Sequence, residues 1–379
     1  MKSSNTCFFL LWVILVACTG QPDLEDPLAL ALSSEDPRIK TVMENLEAHE
    51  VQILFTQIDR SGDSLTLTDH TFQLSEEAYF YPASTVKFPI AVLALEYLNE
   101  LDSIDLHTRF YVEGDTLETT VAKEVLKIFA VSDNTANNRL VELMGQDRIN
   151  EHLRKKGIKP VRIAHRLSTS NADEVVTKPL IVYLNDSTTM SMKVSTNTPP
   201  QDLQLKGILK GTGFIDEDTL VQEPFNFGQK NYYPVIAQHA TLKRVLFPDL
   251  FKKSEQFDLD TNSRELLLDA MKIRPREAGY DPDEYYDSFV KFFMFGDSKS
   301  PYPDHIEIYN KVGYAYGTLT DCAYIHDVKN DVEFMLTATL LVNKDGVFND
   351  NVYEYEQIGI PFLAALGKEL YSNEVNRKK

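Results

Sequence analysis

Cysteine is nearly absent from this chain, with three in 379 residues: Cys7, Cys18 and Cys322. That excludes a disulfide framework and a thiolate zinc site. Stability must then come from a core, and a chain of 379 residues can bury a large one, in one big domain or two of ordinary size. Positive charge is short as well: 38 Lys and Arg stand against 57 Asp and Glu, a net charge of −19. The acidic segments "DLEDP", "DEDTL" and "GYDPDEYYD" are spread along the chain, so the surface is solvated and phosphate backbones are repelled. Nucleic acid is not an expected partner. Gly-rich phosphate loops, a dinucleotide fingerprint and clusters of metal ligands are missing too, so no cofactor and no metal are expected. Internal repeats and low-complexity tracts are also lacking. Long apolar runs are confined to the first residues, where "CFFLLWVILVA" follows Lys2. It is too short for a stable membrane span and fits a secretory signal.

The run ends at Leu15, Val16, Ala17 and Cys18, which resemble a bacterial lipobox. The resemblance implies a signal peptide over residues 1–17, cleavage before Cys18 and a lipid on its sulfur. The alternative is an ordinary signal cut nearby. The polar stretch "TGQPDLEDP" suits a flexible tether, taken over 18–36, with the folded domain over 37–375. Nothing later in the chain is apolar for long enough to cross a bilayer, so lipid would be the sole anchor. The expected location is the cell envelope, on the periplasmic side or the cell surface.

Residues 51–59 and 64–74 read as two strands around the turn "RSGD". Residues 84–101, "STVKFPIAVLALEYLNEL", read as a mostly buried helix with Ser84 as its cap. Helical patterns follow over 119–132, 134–145, 147–157 and 261–272. Three strands in meander, 305–317, 318–328 and 331–344, precede a last helix over 355–371. Two strands first, helices between and three strands last give an α+β fold in which both chain ends share one antiparallel sheet.

Ser84 and Lys87 are one helical turn apart, on one face. A serine hydroxyl is a weak nucleophile until a base takes its proton. Burial among Phe88, Pro89, Ile90 and Val92 lowers a lysine's pKa, because the charged form loses solvation. A second cation nearby would lower it further, and Lys87 would then serve as the base. Taken alone, the pair is also what a capping serine and a snorkelling lysine give.

Two further motifs change that. Ser132, Asp133 and Asn134 follow in "AVSDNTANN", and Lys311, Val312 and Gly313 in "YNKVGYAYGTLTDCAYI". The ordered set Ser-x-x-Lys, Ser-Asp-Asn and Lys-x-Gly resembles the signature of class A β-lactamases and penicillin-binding proteins. The flanking segments are similar too, over most of 50–170 and 235–370. The resemblance implies the β-lactamase/transpeptidase-like fold and an acyl-enzyme mechanism. Ser84 would be acylated, Lys87 would be its base and Ser132 would pass a proton to the leaving nitrogen. Asn134 would hold the substrate's amide side chain. Lys311 would attract a carboxylate and depress the pKa of Lys87. Gly313 and Tyr314 would belong to the binding strand, with the backbone N–H groups of Ser84 and Tyr314 as the oxyanion hole.

The departures from the pattern are informative. Val312 stands where the signature has threonine. Class A β-lactamases also carry a deacylating glutamate on the loop after these helices. In "PVRIAHRLSTSNADEVVTKP" that position falls at Asn171 or at Leu167, depending on whether Arg166-Leu167 or Arg162-Ile163 is matched. Neither is acidic, Asp173 and Glu174 lack the following asparagine, and His165 is the remaining candidate base. The chain between Asn134 and Lys311 is also longer than the family needs. The excess lies near 175–232, whose alternating pattern suggests extra strands that either reshape the cleft or only extend the surface. Lys210 in "LKGTGF" mimics a Lys-x-Gly motif without its flanks. The expected function is a serine hydrolase acting on a β-lactam or a related amide or ester, with a cell-wall peptide-like compound as the other expected substrate. The alternatives are a D,D-peptidase-like penicillin-binding protein with slow deacylation and a non-catalytic binding lipoprotein.

Overall fold

The computed structural model describes residues 26–102 and 104–379. The signal sequence, the lipobox and Cys18 lie outside the described residues. The fold is α+β, as expected, and its centre is a five-stranded antiparallel sheet. The strands are β1 (Gln52–Ser61), β2 (Ser64–Phe72), β3 (Ile306–Ala315), β4 (Thr318–Asp327) and β5 (Val332–Leu341), in the order β3-β4-β5-β1-β2. Gln52 lies opposite Thr339, so the first strand of the chain pairs with the last of the meander.

Strand alternation assigns the two faces of the sheet to different layers. On one face Tyr324 and Cys322 of β4 pack into the core of the central helices, beside Tyr309 of β3. On the other, Ile306, Ile308, Val312, Leu319, Ala323 and Ile325 pack against helix α7 (Ile360–Arg377) and two short helices, Pro27–Leu32 and Pro37–Met43. Leu28, Ala31 and Leu32 are buried there, and Asp26 caps Leu28 N–H at 3.0 Å. The tether expected over 18–36 is therefore cut short, because an apolar face in 27–32 finds a core to enter.

The helical layer contains α1 (Lys87–Leu98), α2 (Val121–Ala130), α3 (Asn134–Met144), α4 (Gln146–Lys155), α5 (Val235–Leu246) and α6 (Thr261–Lys272). Helix α1 is apolar on nearly every side and is buried on nearly every side. Ser84 is not its cap, contrary to the sequence reading. It sits inside a 3-10 turn, Ala83–Val86, that runs directly into α1 without a side-chain cap. Asp133 does cap α3, accepting from Ala136 N–H at 2.8 Å. The α5 helix was not anticipated.

Segment 175–232 carries six short strands. Leu180–Asn185 and Thr188–Ser191 extend Phe110–Val112 into a three-stranded sheet. Gly213–Asp216 pairs with Thr219–Val221 and, in parallel, with Val347–Phe348. An aromatic cluster joins this segment to the rest. Phe227 lies 4.8 Å from Phe225, 5.6 Å from Tyr316, 5.5 Å from Phe348 and 5.9 Å from Tyr81, between ring centroids. Lys210 forms an ion pair with Glu50 instead of joining the motif residues.

Candidate active site

Several loops, the start of α3 and the end of β3 line a cleft of about 480 Å³. Ser84, Asn134 and Tyr314 line it, with Tyr81, His165, Leu167, Lys230, Tyr316, Tyr353 and Tyr355 among the other walls. Tyr314 is 52% exposed at its mouth. Lys87, Ser132 and Lys311 lie beneath, and the two lysines are 0% and 2% exposed.

Ser132 links the lysines. Lys311 Nζ donates to Ser132 Oγ at 2.8 Å, and Lys87 Nζ lies 3.2 Å from the same oxygen while also donating to the Ser132 carbonyl. Lys311 makes a second bond, to the carbonyl of Val312 at 2.8 Å. Helical spacing brings Lys87 to the turn of Ser84, but its ammonium is engaged by Ser132. Among the non-glycine residues that hold left-handed backbone around the cleft are Ala83 at φ 47° and Ser132 at φ 58°. Each such residue costs on the order of 1–3 kcal/mol and persists only where its surroundings enforce it. At Ser132 that backbone presents carbonyl and hydroxyl to the lysines together.

Gly313 explains how β3 reaches the serine. A Cβ at this position would lie 2.7 Å from Pro82 O, 2.8 Å from Ser84 N and 2.9 Å from Thr85 N. Only glycine lets the strand lie against the start of the helix, which sets Tyr314 beside the Ser84 amide. Val312, the departure from the signature, does not line the cleft. It is buried in the core over α7, where valine suits better than a hydroxyl.

Burial pushes Lys87 down to about 7, with Asp133 opposing it. Burial also holds Lys311 well below the ordinary lysine value, and the neighbouring Lys87 adds to that. A third buried lysine, Lys291, donates to Met271 O, Ile308 O and Asn310 Oδ1 at 2.7, 2.9 and 2.7 Å. Asn310 in turn donates to Asp321 at 2.8 Å. Burial raises Asp321 to about 6, although it accepts from Phe292 N–H and Phe293 N–H. This network stands behind Lys311 on the other face of the sheet. The sequence reading did not include Lys291 or Asn310, because neither belongs to a motif.

Of the two candidate positions on the loop after α4, Leu167 lines the cleft and Asn171 does not. Asn138, one turn beyond Asn134, accepts from Leu167 N–H at 2.9 Å and donates to Leu167 O at 2.8 Å. Leu167 is thereby pinned into the cleft wall. Asn171 instead accepts from the Thr169 hydroxyl at 2.7 Å. Arg166 anchors the loop through a buried pair with Glu142, at 2.6 and 2.8 Å. Asp173 and Glu174 are exposed and line no part of the cleft. His165 stacks on Tyr81, 6.1 Å between centroids and 3° between planes. Its Nδ1 donates to Arg166 O at 2.6 Å, and burial lowers its pKa to about 4. It is neutral near pH 7 and a weak base, with Nε2 buried and unpartnered.

Motif reading found Tyr314 but not Tyr353, Tyr355, Asn349, Asn351 and Lys230, which come from loops that carry no signature. Asn138 was within reach, since helical i, i+4 spacing from Asn134 puts both on one face.

The Beta-lactamase enzyme family matches residues 36–214. No curated protein matches. Among solved structures, a β-lactamase from Desulfarculus baarsii DSM 2075 is 16% identical, covers 90% of this chain and 98% of its own, and superposes with a TM-score of 0.52. L2 complexed with relebactam gives 16%, 92%, 98% and 0.50. A point mutant of PBP-A, as an acyl-enzyme complex with penicillin G, gives 14%, 92%, 96% and 0.51. At these identities the likeness is one of fold. The sheet and the helical layer thus give the chain the β-lactamase/transpeptidase-like fold, and its residues 36–214 are similar to the Beta-lactamase enzyme family.

Proposed function

We propose that this protein is a serine hydrolase that forms an acyl-enzyme on Ser84, taking a β-lactam or a related amide or ester. One observation carries the reading: a single hydroxyl, Ser132 Oγ, lies within hydrogen-bond reach of two buried lysines at the foot of the cleft that Ser84 lines. A hydroxyl has one proton and donates once. One ammonium donates to Oγ, and the hydroxyl passes its own hydrogen bond to the other, neutral amine. In this reading the neutral amine is Lys87, one turn from Ser84. It takes the Ser84 proton as Oγ attacks the carbonyl carbon and the carbonyl π pair moves to oxygen. The backbone N–H groups of Ser84 and Tyr314 receive that oxyanion. The C–N bond then breaks, and the proton reaches the leaving nitrogen through Ser132.

For the release step, one observation favours the penicillin-binding, D,D-peptidase-like reading with slow deacylation. In this reading Leu167 of the cleft wall takes the place of the deacylating base, and among the described residues no carboxylate lines the cleft. A solved relative of this fold is named as an acyl-enzyme with penicillin G. A lipid on Cys18 that holds the chain in the cell envelope completes the proposal.

The test is intact-protein mass spectrometry of residues 26–379 mixed with benzylpenicillin, followed over time beside Ser84→Ala. A lasting adduct on the wild type alone supports acylation with slow release. A transient adduct with hydrolysed drug accumulating supports a true β-lactamase. Absence of any adduct would sink both β-lactam readings and leave a binding role or another acyl substrate.

A further inference from the structure

Among the described residues the cleft lining contains no aspartate or glutamate, on a chain of net charge −19. Its cationic side chains are Arg166 and Lys230. Arg166 is neutralised by its buried pair with Glu142. Lys230 is half-buried and, among the described residues, has no carboxylate within ion-pair distance. Its backbone is held in place: the Lys230 carbonyl accepts from Arg162 at 2.5 Å, and its N–H donates to Phe227 O at 2.9 Å. The same guanidinium also binds Gly228 O at 2.9 Å. A flexible cation is thus mounted on a fixed stretch of backbone, with nothing to neutralise it. The one carboxylate whose charge reaches His165 together with that of Lys230 is Asp173, which is exposed and outside the lining.

The position of Lys230 along the cleft follows from its neighbours. Its charge is felt by His165, which stacks on Tyr81, and Tyr81 meets Tyr316 edge-on at 5.1 Å. His165 begins the loop whose Leu167 is pinned by Asn138, one turn along α3 from Asn134. Lys230 therefore belongs to the Asn134 side of Ser84. In the acyl-enzyme reading, Asn134 holds the amide side chain of the acyl part, and the leaving part lies towards Ser132.

We propose that Lys230 is a specificity residue that receives a carboxylate borne on the acyl side chain of the substrate. The preferred substrate class is then an amide or β-lactam with an anionic acyl substituent beside an aromatic wall of Tyr81 and Tyr316. This inference rests on the acyl-enzyme reading above. Lys230 is an electrostatic anchor in a partly wet site, so its contribution is screened by salt.

Benzylpenicillin and carbenicillin share one scaffold and differ by a carboxylate on the acyl side chain, so they form the probe pair. The second-order rate of adduct formation on residues 26–379 would be measured for both compounds, at 20 and 500 mM NaCl. The wild type is expected to favour carbenicillin about tenfold at low salt, a difference of about 1.4 kcal/mol, and to lose most of that preference at high salt. Lys230→Gln should bring the ratio close to one, and Lys230→Arg should restore it. Equal rates on the wild type, or a preference that survives in Lys230→Gln, would overturn the role of Lys230 while leaving acylation intact. If neither compound forms an adduct, the acyl-enzyme reading fails and this inference falls with it.

Discussion

The floor and the wall of the cleft are built by opposite physical means. The floor is polar and buried: Lys87, Ser132 and Lys311 share a few hydrogen bonds in a place where charge is poorly solvated. The wall is aromatic and apolar: Tyr81 and Tyr316 line the cleft, and Phe225, Phe227 and Phe348 pack behind them ring on ring. Burying amines without carboxylate partners is unfavourable, while burying rings is favourable. The floor therefore carries instability that the rest of the fold offsets, and the wall is one of the regions that offset it.

The largest effect should come from removing a lysine at the floor. Lys87→Met should lower the acylation rate at least about a thousandfold, as loss of a nucleophile's base does, and yet stabilise the fold. Replacing an unpaired buried ammonium with an apolar side chain of similar size is worth about 1–3 kcal/mol at pH 7, net of the bonds lost at Ser132. The sign with pH is fixed by linkage. Burial lowers Lys87 from 10.5 to about 7, so between those values the unfolded chain binds the proton and the folded chain does not. Wild-type stability therefore rises with pH across that window, relative to Lys87→Met, and the gain from the substitution shrinks towards zero near 10.5. Below about 7 both states are protonated and the gain is flat. Paired urea titrations at pH 6, 8 and 10 check this. A substitution that destabilises at every pH would mean that the ammonium is better satisfied than the geometry indicates. Acylation by the wild type should climb with pH through about 7, as the neutral amine accumulates.

Next in size is the wall. Phe227→Ala opens a hole among five rings and should cost about 3–5 kcal/mol. Calorimetry shows whether that cost falls on the whole molecule or on segment 175–232 alone. A second, earlier transition in the variant would mean that the wall unfolds by itself and that the floor stands without it. A single lowered transition would mean that both depend on one core.

The floor was legible in the sequence and the wall was not, for a physical reason. Acyl transfer needs a nucleophile, a base and a proton relay at fixed spacing on a helix, a turn and a strand. Ser84-x-x-Lys87, Ser132-Asp133-Asn134 and Lys311-x-Gly313 are that spacing written out. Gly313 came with its motif, and the structure supplies the reason: there a strand touches the start of a helix. The sheet shared by both chain ends followed from the order of patterns, and so did the extra strands of 175–232. Rings meeting across sequence separations of more than a hundred residues leave no local period, so Tyr81, Phe227 and Phe348 could not be joined from the sequence. The same holds for Lys230 and for the Lys291–Asn310–Asp321 network, whose members are ordinary residues until the fold brings them together. Ser84 was misread as a cap because serine before an apolar helix is the usual cap signal, and here the chain spends one 3-10 turn before α1 begins.

The smallest effect falls where floor and wall meet, at Leu167. Its backbone is fixed by both polar atoms of Asn138, and its side chain closes the cleft beside Ser84. Among the described residues no carboxylate lines the cleft, and His165 is held neutral, stacked and bonded to its neighbour's carbonyl. A water that approached an acylated Ser84 would find no base. Leu167→Glu should supply one without moving the loop, because the Asn138 bonds go to backbone atoms that the substitution leaves alone. Burial among apolar neighbours would hold the new carboxyl above its ordinary value and blunt it as a base near pH 7. The expected gain in deacylation is therefore modest, about tenfold, well short of the 10²–10⁴ that a well-placed general base gives. Decay of the penicillin adduct in rapid-quench mass spectrometry reads it directly, and the gain should increase from pH 6 to pH 8 as the carboxyl ionises. An unchanged decay across that range would show that water, not the base, is what the apolar wall excludes, and would make the wall itself the determinant of slow release.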